Sequence, residues 1–261
     1  YNMENQSIAN IPDDKTKSSN SEIKKPTENI KGLSVTPVVA DKEERVYKKV
    51  HPFLPQSPFV LGLVSPRQTG KSTIISWLLL HDDAFGQDYY KKVYIFSPTI
   101  EQCSTSRFLR QRYECETIYT DEKLQGIINE QEKSPKAEMG HIMCCFDDVV
   151  GDQSMKRGSL LTKFITKSRH WNADCLISIQ HFKSMPKITR SNLTDVMIGY
   201  PIANKKMLLE LAEEFGENFD SMEHFYQLYF EATKRTRYEY MYMKLRECPV
   251  QVFNTFTERI Y

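Results

Sequence analysis

The segment Phe59-Val-Leu-Gly-Leu-Val-Ser-Pro-Arg-Gln-Thr-Gly-Lys-Ser-Thr73, continued by Ile74-Ile-Ser-Trp-Leu-Leu-Leu80, decides the fold of this chain. A short apolar run ends at Val64, a turn follows, and Gly70-Lys71-Ser72 opens a longer apolar run. A buried strand that turns tightly into a helix aims several backbone N–H groups, and the positive end of the helix dipole, at one anion. In that geometry Lys71 reaches the β and γ phosphates of a nucleotide and the Ser72 hydroxyl ligates magnesium. The spacing is that of a phosphate loop, G-x-x-x-x-G-K-[ST], with Ser65 in place of the first glycine. Ser65, Pro66, Arg67, Gln68, Thr69, Gly70, Lys71, Ser72 and Thr73 are therefore the expected nucleotide contacts, with ATP and Mg2+ as the ligands. The side chain of Ser65 leads to an expectation of strain in the turn and of weaker binding.

A nucleotide hydrolase also needs acid at the end of a neighbouring strand, where side chains face the ligand crevice. His141-Ile-Met-Cys-Cys-Phe146 is apolar and ends in Asp147-Asp148. The first carboxylate suits a magnesium ligand, and the second suits polarisation of the attacking water. Two acids after a strand also make an ordinary solvated turn, and it is Lys71 upstream that favours the catalytic assignment. Cys175-Leu-Ile-Ser-Ile-Gln180 supplies a third element. In phosphate-loop ATPases with an extra strand between the loop strand and the acidic strand, a polar residue at Gln180's position senses the γ-phosphate.

Outward from these motifs, short apolar runs alternate with amphipathic ones, the pattern of an α/β domain with a parallel, doubly covered sheet. Strands are expected at Phe59–Val64, Lys92–Phe96, His141–Phe146, Cys175–Ile179 and Val196–Tyr200. Helices are expected at Lys71–Leu80, Ser106–Arg112, Asp121–Glu132, Leu160–Ser168 and Lys205–Phe215. Three further strands are placed at Tyr226–Phe230, Tyr238–Lys244 and Val250–Phe253. Residues 1–50 are polar, Ser/Asn/Lys-rich and without periodicity, so they are assigned as a disordered tail ahead of an ATPase domain at 51–261.

The chain has 261 residues, of which 40% are hydrophobic and 11% aromatic, enough for one substantial core and too many for a disordered or fibrous protein. Its 35 Lys and Arg against 34 Asp and Glu give a formal charge of +1, so the total carries no mark of a polybasic nucleic-acid binder. A neutral total still permits a local basic surface. No stretch reaches the roughly 18 to 20 apolar residues of a membrane span, and the polar start is unlike a secretion signal. Six cysteines without CxxC spacing are assigned as reduced thiols. An intracellular, non-secreted protein is the expectation.

With the three motifs in this order, the sequence resembles the poxvirus-type genome-packaging ATPases of large DNA viruses, a branch of the FtsK/HerA class of P-loop motors. The resemblance runs from about Pro58 to Tyr200. It includes Ser168-Arg169-His170 ahead of the glutamine strand, and Met185-Pro186 leading to Ile188-Thr189-Arg190-Ser191-Asn192 after it. It implies a RecA-like P-loop NTPase with a mostly parallel sheet and helices on both faces. It also implies a homo-oligomeric ring, hexamer or pentamer, that moves double-stranded DNA into a capsid, with a capsid or portal protein as partner and no membrane. The site of action would be the viral factory in the host cytoplasm, or the virion. Asp148 and Gln180 would be catalytic, Ser72 and Asp147 would hold the metal, and Arg169 or Arg190 would reach a neighbouring subunit's γ-phosphate. DNA phosphates would meet Lys156, Arg157, Lys163, Lys167, Lys183 and Lys187, with Lys234, Arg235 and Arg237 later in the chain. Two alternatives stay open on sequence: a scaffold that binds nucleotide without hydrolysis, and another P-loop NTPase of kinase or helicase-like type.

Overall fold

Strand β1 (Val60–Val64) is buried at all five positions, which requires a sheet covered on both faces. The computed structural model describes residues 45–149, 158–202, 204–236 and 238–261, all within one compact unit, Lys42–Tyr261. Most of the assigned tail, together with Lys156, Arg157 and Arg237, lies outside the described residues. The strands after β1 are β2 (Lys92–Phe96), β3 (Glu114–Glu116), β4 (Ile142–Asp147), β5 (Ala173–Ile179) and β6 (Asp195–Gly199), followed by β7 (Tyr240–Lys244), β8 (Gln251–Asn254) and β9 (Glu258–Arg259). Among the described residues they form one nine-stranded sheet in the order β3-β2-β4-β5-β1-β6-β7-β8-β9. Strands β1 to β6 run parallel, and β7 to β9 extend the sheet antiparallel.

The alternation of side chains along β1 builds two cores. Leu61 and Leu63 face Ile75, Leu78 and Leu79 of α1 (Lys71–Leu80), and Leu109 of α2 (Arg107–Arg112) joins that side. Val60 and Val64 face the opposite layer. That layer comprises α3 (Asp121–Glu132), α4 (Leu160–Lys167), α6 (Lys205–Phe215) and α7 (Met222–Ala232). A four-residue helix, α5 (Lys187–Arg190), follows β5. Cys144, Cys145 and Cys175 are buried free thiols between the layers.

Two expectations are corrected. Tyr226–Phe230 is not a strand but the middle of α7. Its aromatics favour strands in isolation, yet Phe225, Leu228, Tyr229 and Ala232 are buried at helical spacing and the Ser221 hydroxyl caps the N-terminus by accepting from His224 N at 3.1 Å. The packed body also starts earlier than residue 51. The Arg45 guanidinium donates to the carbonyls of Arg169 and His170, the Tyr47 ring meets His141 edge-on at 4.9 Å, and Val50 packs against the α1-side core.

Below the amino ends of the strands, Asp174 anchors this entry segment. It is fully buried and accepts from Ser57 Oγ, Phe59 N (3.0 Å), Tyr90 Oη (3.0 Å) and His141 Nε2 (3.0 Å). Burial pushes the Tyr90 phenol well up, so it serves Asp174 as a neutral donor. Asp174→Ala would strand these donors, and a loss of about 3 kcal/mol is expected in urea unfolding. A loss below about 1 kcal/mol would mean that the cluster does not hold the segment in place.

Candidate functional site

Strand order puts β5 between β1 and β4, the inserted-strand arrangement that the sequence implied. The phosphate loop after β1, Gln180 after β5 and Asp147-Asp148 at the end of β4 thus share one edge of the sheet. They line a cleft of about 740 Å3 together with Pro98, Thr99, Thr105 and Tyr238. Gln68 (φ 60) and Gly70 (φ 93) adopt left-handed backbone within the loop. Successive N–H groups in such a turn converge into an anion nest at the start of α1.

Ser65 does not strain the turn as expected, and it is not among the loop residues with positive φ. Its side chain is fully buried and shares a hydrogen bond with the Thr69 hydroxyl. It fills the space above Gly199 of the neighbouring strand, where a Cβ would come within 2.0 Å of the Ser65 hydroxyl. Ser65, Pro66 and Thr69 therefore shape the loop from behind, whereas Arg67, Gln68, Gly70, Lys71, Ser72 and Thr73 face the cleft. Thr69 O accepts from the Tyr240 hydroxyl at 2.8 Å, tying the loop to β7.

Lys71 Nζ donates to Ser65 O (2.9 Å) and Pro66 O (3.1 Å), so the loop's own carbonyls hold its ammonium in place. Burial pulls its pKa down, against the opposing pull of Asp148 and Asp147. Asp147 is buried and accepts from Ser97 Oγ at 2.9 Å. Burial raises its pKa, with Asp148 adding to the rise while the neighbouring hydroxyls and Lys71 oppose it. Asp148 has a left-handed backbone (φ 50), and its Oδ2 accepts from Gln180 Nε2 at 3.1 Å. Gln180 Oε1 in turn accepts from Arg67 Nε at 3.3 Å. This Arg67–Gln180–Asp148 chain fixes which way the glutamine amide points. Sequence reasoning did not find the chain, nor the Ser97 hydroxyl beside Asp147, nor Tyr238 at the cleft.

Among the described residues no three His, Cys, Asp or Glu side chains converge on a metal position. The Ser72 hydroxyl and the Asp147 carboxylate are hard oxygen donors that both line the cleft. That pair fits Mg2+, which takes its remaining ligands from phosphates and water rather than from a protein cage.

The two candidate trans-acting arginines differ. Arg169 is exposed on a 3-10 turn (Ser168–Trp171) ahead of β5, at the sheet end opposite the cleft of its own chain. Arg190 is bound within the chain: its Nη1 lies 2.6 Å from Glu214 Oε2 and its guanidinium lies over the Phe182 ring, so it is an anchor for α6 and not a free cation. Among the candidate DNA contacts, Lys183 pairs with Glu210 and Glu213, Lys234 with Glu231, and Arg235 with Glu258. Lys163, Lys167 and Lys187 are exposed.

A phosphate loop, an acidic strand end and a polar residue on the strand between them, all on a parallel sheet, define a P-loop NTPase of the inserted-strand type. Within that class the chain belongs to the poxvirus A32 protein family, a family of genome-packaging ATPases, whose profile matches residues 50–211. Among solved structures it is similar to the genome packaging NTPase B204 from Sulfolobus turreted icosahedral virus 2 in complex with sulfate. That likeness has a TM-score of 0.52 and 12% identity, over 77% of this chain and 98% of that chain. The same protein in complex with AMP gives a TM-score of 0.52 and 11% identity over 75% and 96%. The DNA-packaging ATPase B204 from Sulfolobus Turreted Icosahedral Virus gives 0.51 and 12% over 75% and 97%. At such identity the likeness is one of fold. No curated protein sequence matches the chain.

Two variants test the site's construction. Gly199→Ala should destabilise the fold by about 1–3 kcal/mol through overpacking against Ser65, and Ser65→Gly in the same chain should restore part of the loss. Strictly additive effects in urea unfolding would separate the two positions. Because the Asp147 pKa is raised on folding, the nucleotide-free fold loses stability as pH climbs from the ordinary carboxylate range through the raised value. Asp147→Asn removes that loss. The variant should therefore unfold at higher urea than the parent at neutral pH and at the same urea in acid; equal stability at neutral pH would show that Ser97 and Lys71 fully offset burial.

Proposed function

We propose that this chain is one subunit of a homo-oligomeric ring that couples ATP hydrolysis to movement of double-stranded DNA into a viral capsid. The observation that carries the proposal is the convergence of Lys71, Ser72, Asp147, Asp148 and Gln180 on one cleft, in a chain of the A32 family. Loop amides around Gln68 to Ser72 receive the phosphates, and Lys71 exchanges the carbonyls of Ser65 and Pro66 for phosphate oxygens. Ser72 and Asp147 would hold Mg2+, which when bound offsets phosphate charge. Asp148 then accepts a proton from the attacking water, and Gln180, oriented by Arg67, holds that water in line.

Among the described residues lining the cleft, Lys71 and Arg67 are the cations, and they face the carboxylates of Asp147 and Asp148. A triphosphate entering there meets little surplus positive charge, and charge that builds in the transition state needs a further cation. Arg169 of an adjacent subunit suits that role because it is exposed and remote from its own cleft. Lys163, Lys167 and Lys187 are the described lysines offered to DNA phosphates, with a capsid or portal protein as the docking partner. Action in the infected-cell cytoplasm or in the virion follows from the same reading. The non-hydrolysing scaffold loses its motive, since Ser65 does not intrude on the cleft.

Long duplex DNA should stimulate ATP hydrolysis. Lys71→Ala should abolish nucleotide binding, and Asp148→Asn should bind nucleotide but slow turnover by about 10^2- to 10^4-fold. Hydrolysis indifferent to duplex DNA would sink the motor proposal. In rings mixed with Arg169→Ala subunits, activity should fall with each variant interface; full activity would remove Arg169 from the reaction.

A further inference from the structure

Sheet order gives the cleft a direction. β5 and β4, carrying Gln180 and Asp148, lie to one side of β1, and β6 and β7 lie to the other. The γ-phosphate end of a nucleotide belongs beside Asp148 and Gln180, so the nucleoside end runs the opposite way, past Gly70 toward β6 and β7. Tyr238 stands there. It precedes β7, whose first residue Tyr240 pairs with Gly199 at the carboxyl end of β6, so Tyr238 rises above the same edge of the sheet as the phosphate loop. A Cβ on Gly70 would lie 3.3 Å from Tyr238 Cδ1, which sets the ring against the loop.

Tyr238 is the one aromatic among the described residues lining the cleft, and it is 61% exposed. Burying a ring of that size stabilises a core, and leaving it exposed in a polar cleft provides no such gain. Its position is nonetheless fixed. The Glu239 carboxylate accepts from Arg235 N (2.7 Å) and Thr236 N (3.0 Å), the Thr236 hydroxyl accepts from Tyr238 N (3.3 Å), and the Tyr240 hydroxyl clamps Thr69 O. Residues 235, 236 and 238–240 are thus held by hydrogen bonds beside the phosphate loop, while the Tyr238 ring remains largely exposed.

We infer that Tyr238 forms the nucleobase subsite of the cleft by stacking on the purine ring; this rests on the nucleotide-binding reading above. An aromatic face is attracted by ring area and reads no hydrogen-bonding edge. The subsite therefore favours purine over pyrimidine nucleotides and separates adenine from guanine poorly.

The experiment is calorimetric titration of the full chain with ADP and, separately, with inorganic tripolyphosphate, which has no base. Tyr238→Ala should weaken ADP binding roughly tenfold and leave tripolyphosphate binding unchanged, and Tyr238→Phe should keep parental affinity for both. In the parent chain ADP should bind more tightly than CDP, and Tyr238→Ala should narrow that gap. Equal ADP affinity in the parent and Tyr238→Ala, or parallel loss of ADP and tripolyphosphate, would overturn the subsite while leaving the phosphate site standing. Failure of the parent to bind either ligand would overturn both.

Discussion

A phosphate loop has to leave its amides unpaired toward the ligand while its carbonyls, turned inward, find donors elsewhere. Here the donors come from the loop itself, from α1 and from β7. Ser65 O and Pro66 O take the Lys71 ammonium, Pro66 O also takes the Thr69 hydroxyl at 2.7 Å, and Thr69 O takes the Tyr240 hydroxyl. The β7 strand is thus more than an extension of the sheet. It supplies the phenol that keeps the back of the loop satisfied, and two residues earlier it brings an aromatic ring over Gly70. Replacing glycine by serine at position 65 is accommodated by the same packing, because the neighbouring strand offers a residue without a side chain at Gly199.

The carboxylates place the opposite demand on the fold. Asp147 is buried against its own preference for water, and the penalty is visible in its raised pKa. A fold keeps such a group where its charge is needed for a ligand, and a site near charge balance binds a triphosphate best when more cations arrive with it. Magnesium and a neighbouring subunit's arginine are both ways of bringing positive charge only when the nucleotide is present. On the ring reading proposed above, a single copy would be poorly set up for hydrolysis, and assembly itself would control turnover.

How much of this was legible follows the range over which each feature is encoded. The phosphate loop, the Asp147-Asp148 end and Gln180 were readable because each is a strand end whose chemistry sits within a few residues of its own apolar run. The order β4-β5-β1 followed from the motifs together with the family resemblance. Tyr226–Phe230 was misread because aromatic content suggested a strand, although the cap at Ser221 and the spacing of Phe225, Leu228, Tyr229 and Ala232 were present in the sequence. The Arg190–Glu214 pair was not legible for a different reason: Glu214 lies on another helix, and nothing local to Arg190 announces it. The Arg67–Gln180 and Ser97–Asp147 contacts likewise join residues far apart in sequence.

The near-zero net charge of the chain also becomes interpretable once the pairs are resolved. Lys183, Arg190, Lys234 and Arg235 pair with carboxylates of the same chain, so the balance of the whole says little about where unpaired cations lie. Arg107 and Arg110 on α2 are exposed on either side of Phe108, which is 64% exposed, and Lys163, Lys167 and Lys187 are exposed on α4 and α5. A polymer that must be gripped and released at every step is poorly served by a continuous basic face, since each neutralised phosphate adds affinity that has to be undone. In the proposed ring, a few separated cations per subunit would give summed attraction with small individual contacts, and a chain close to neutral overall is compatible with that division of labour.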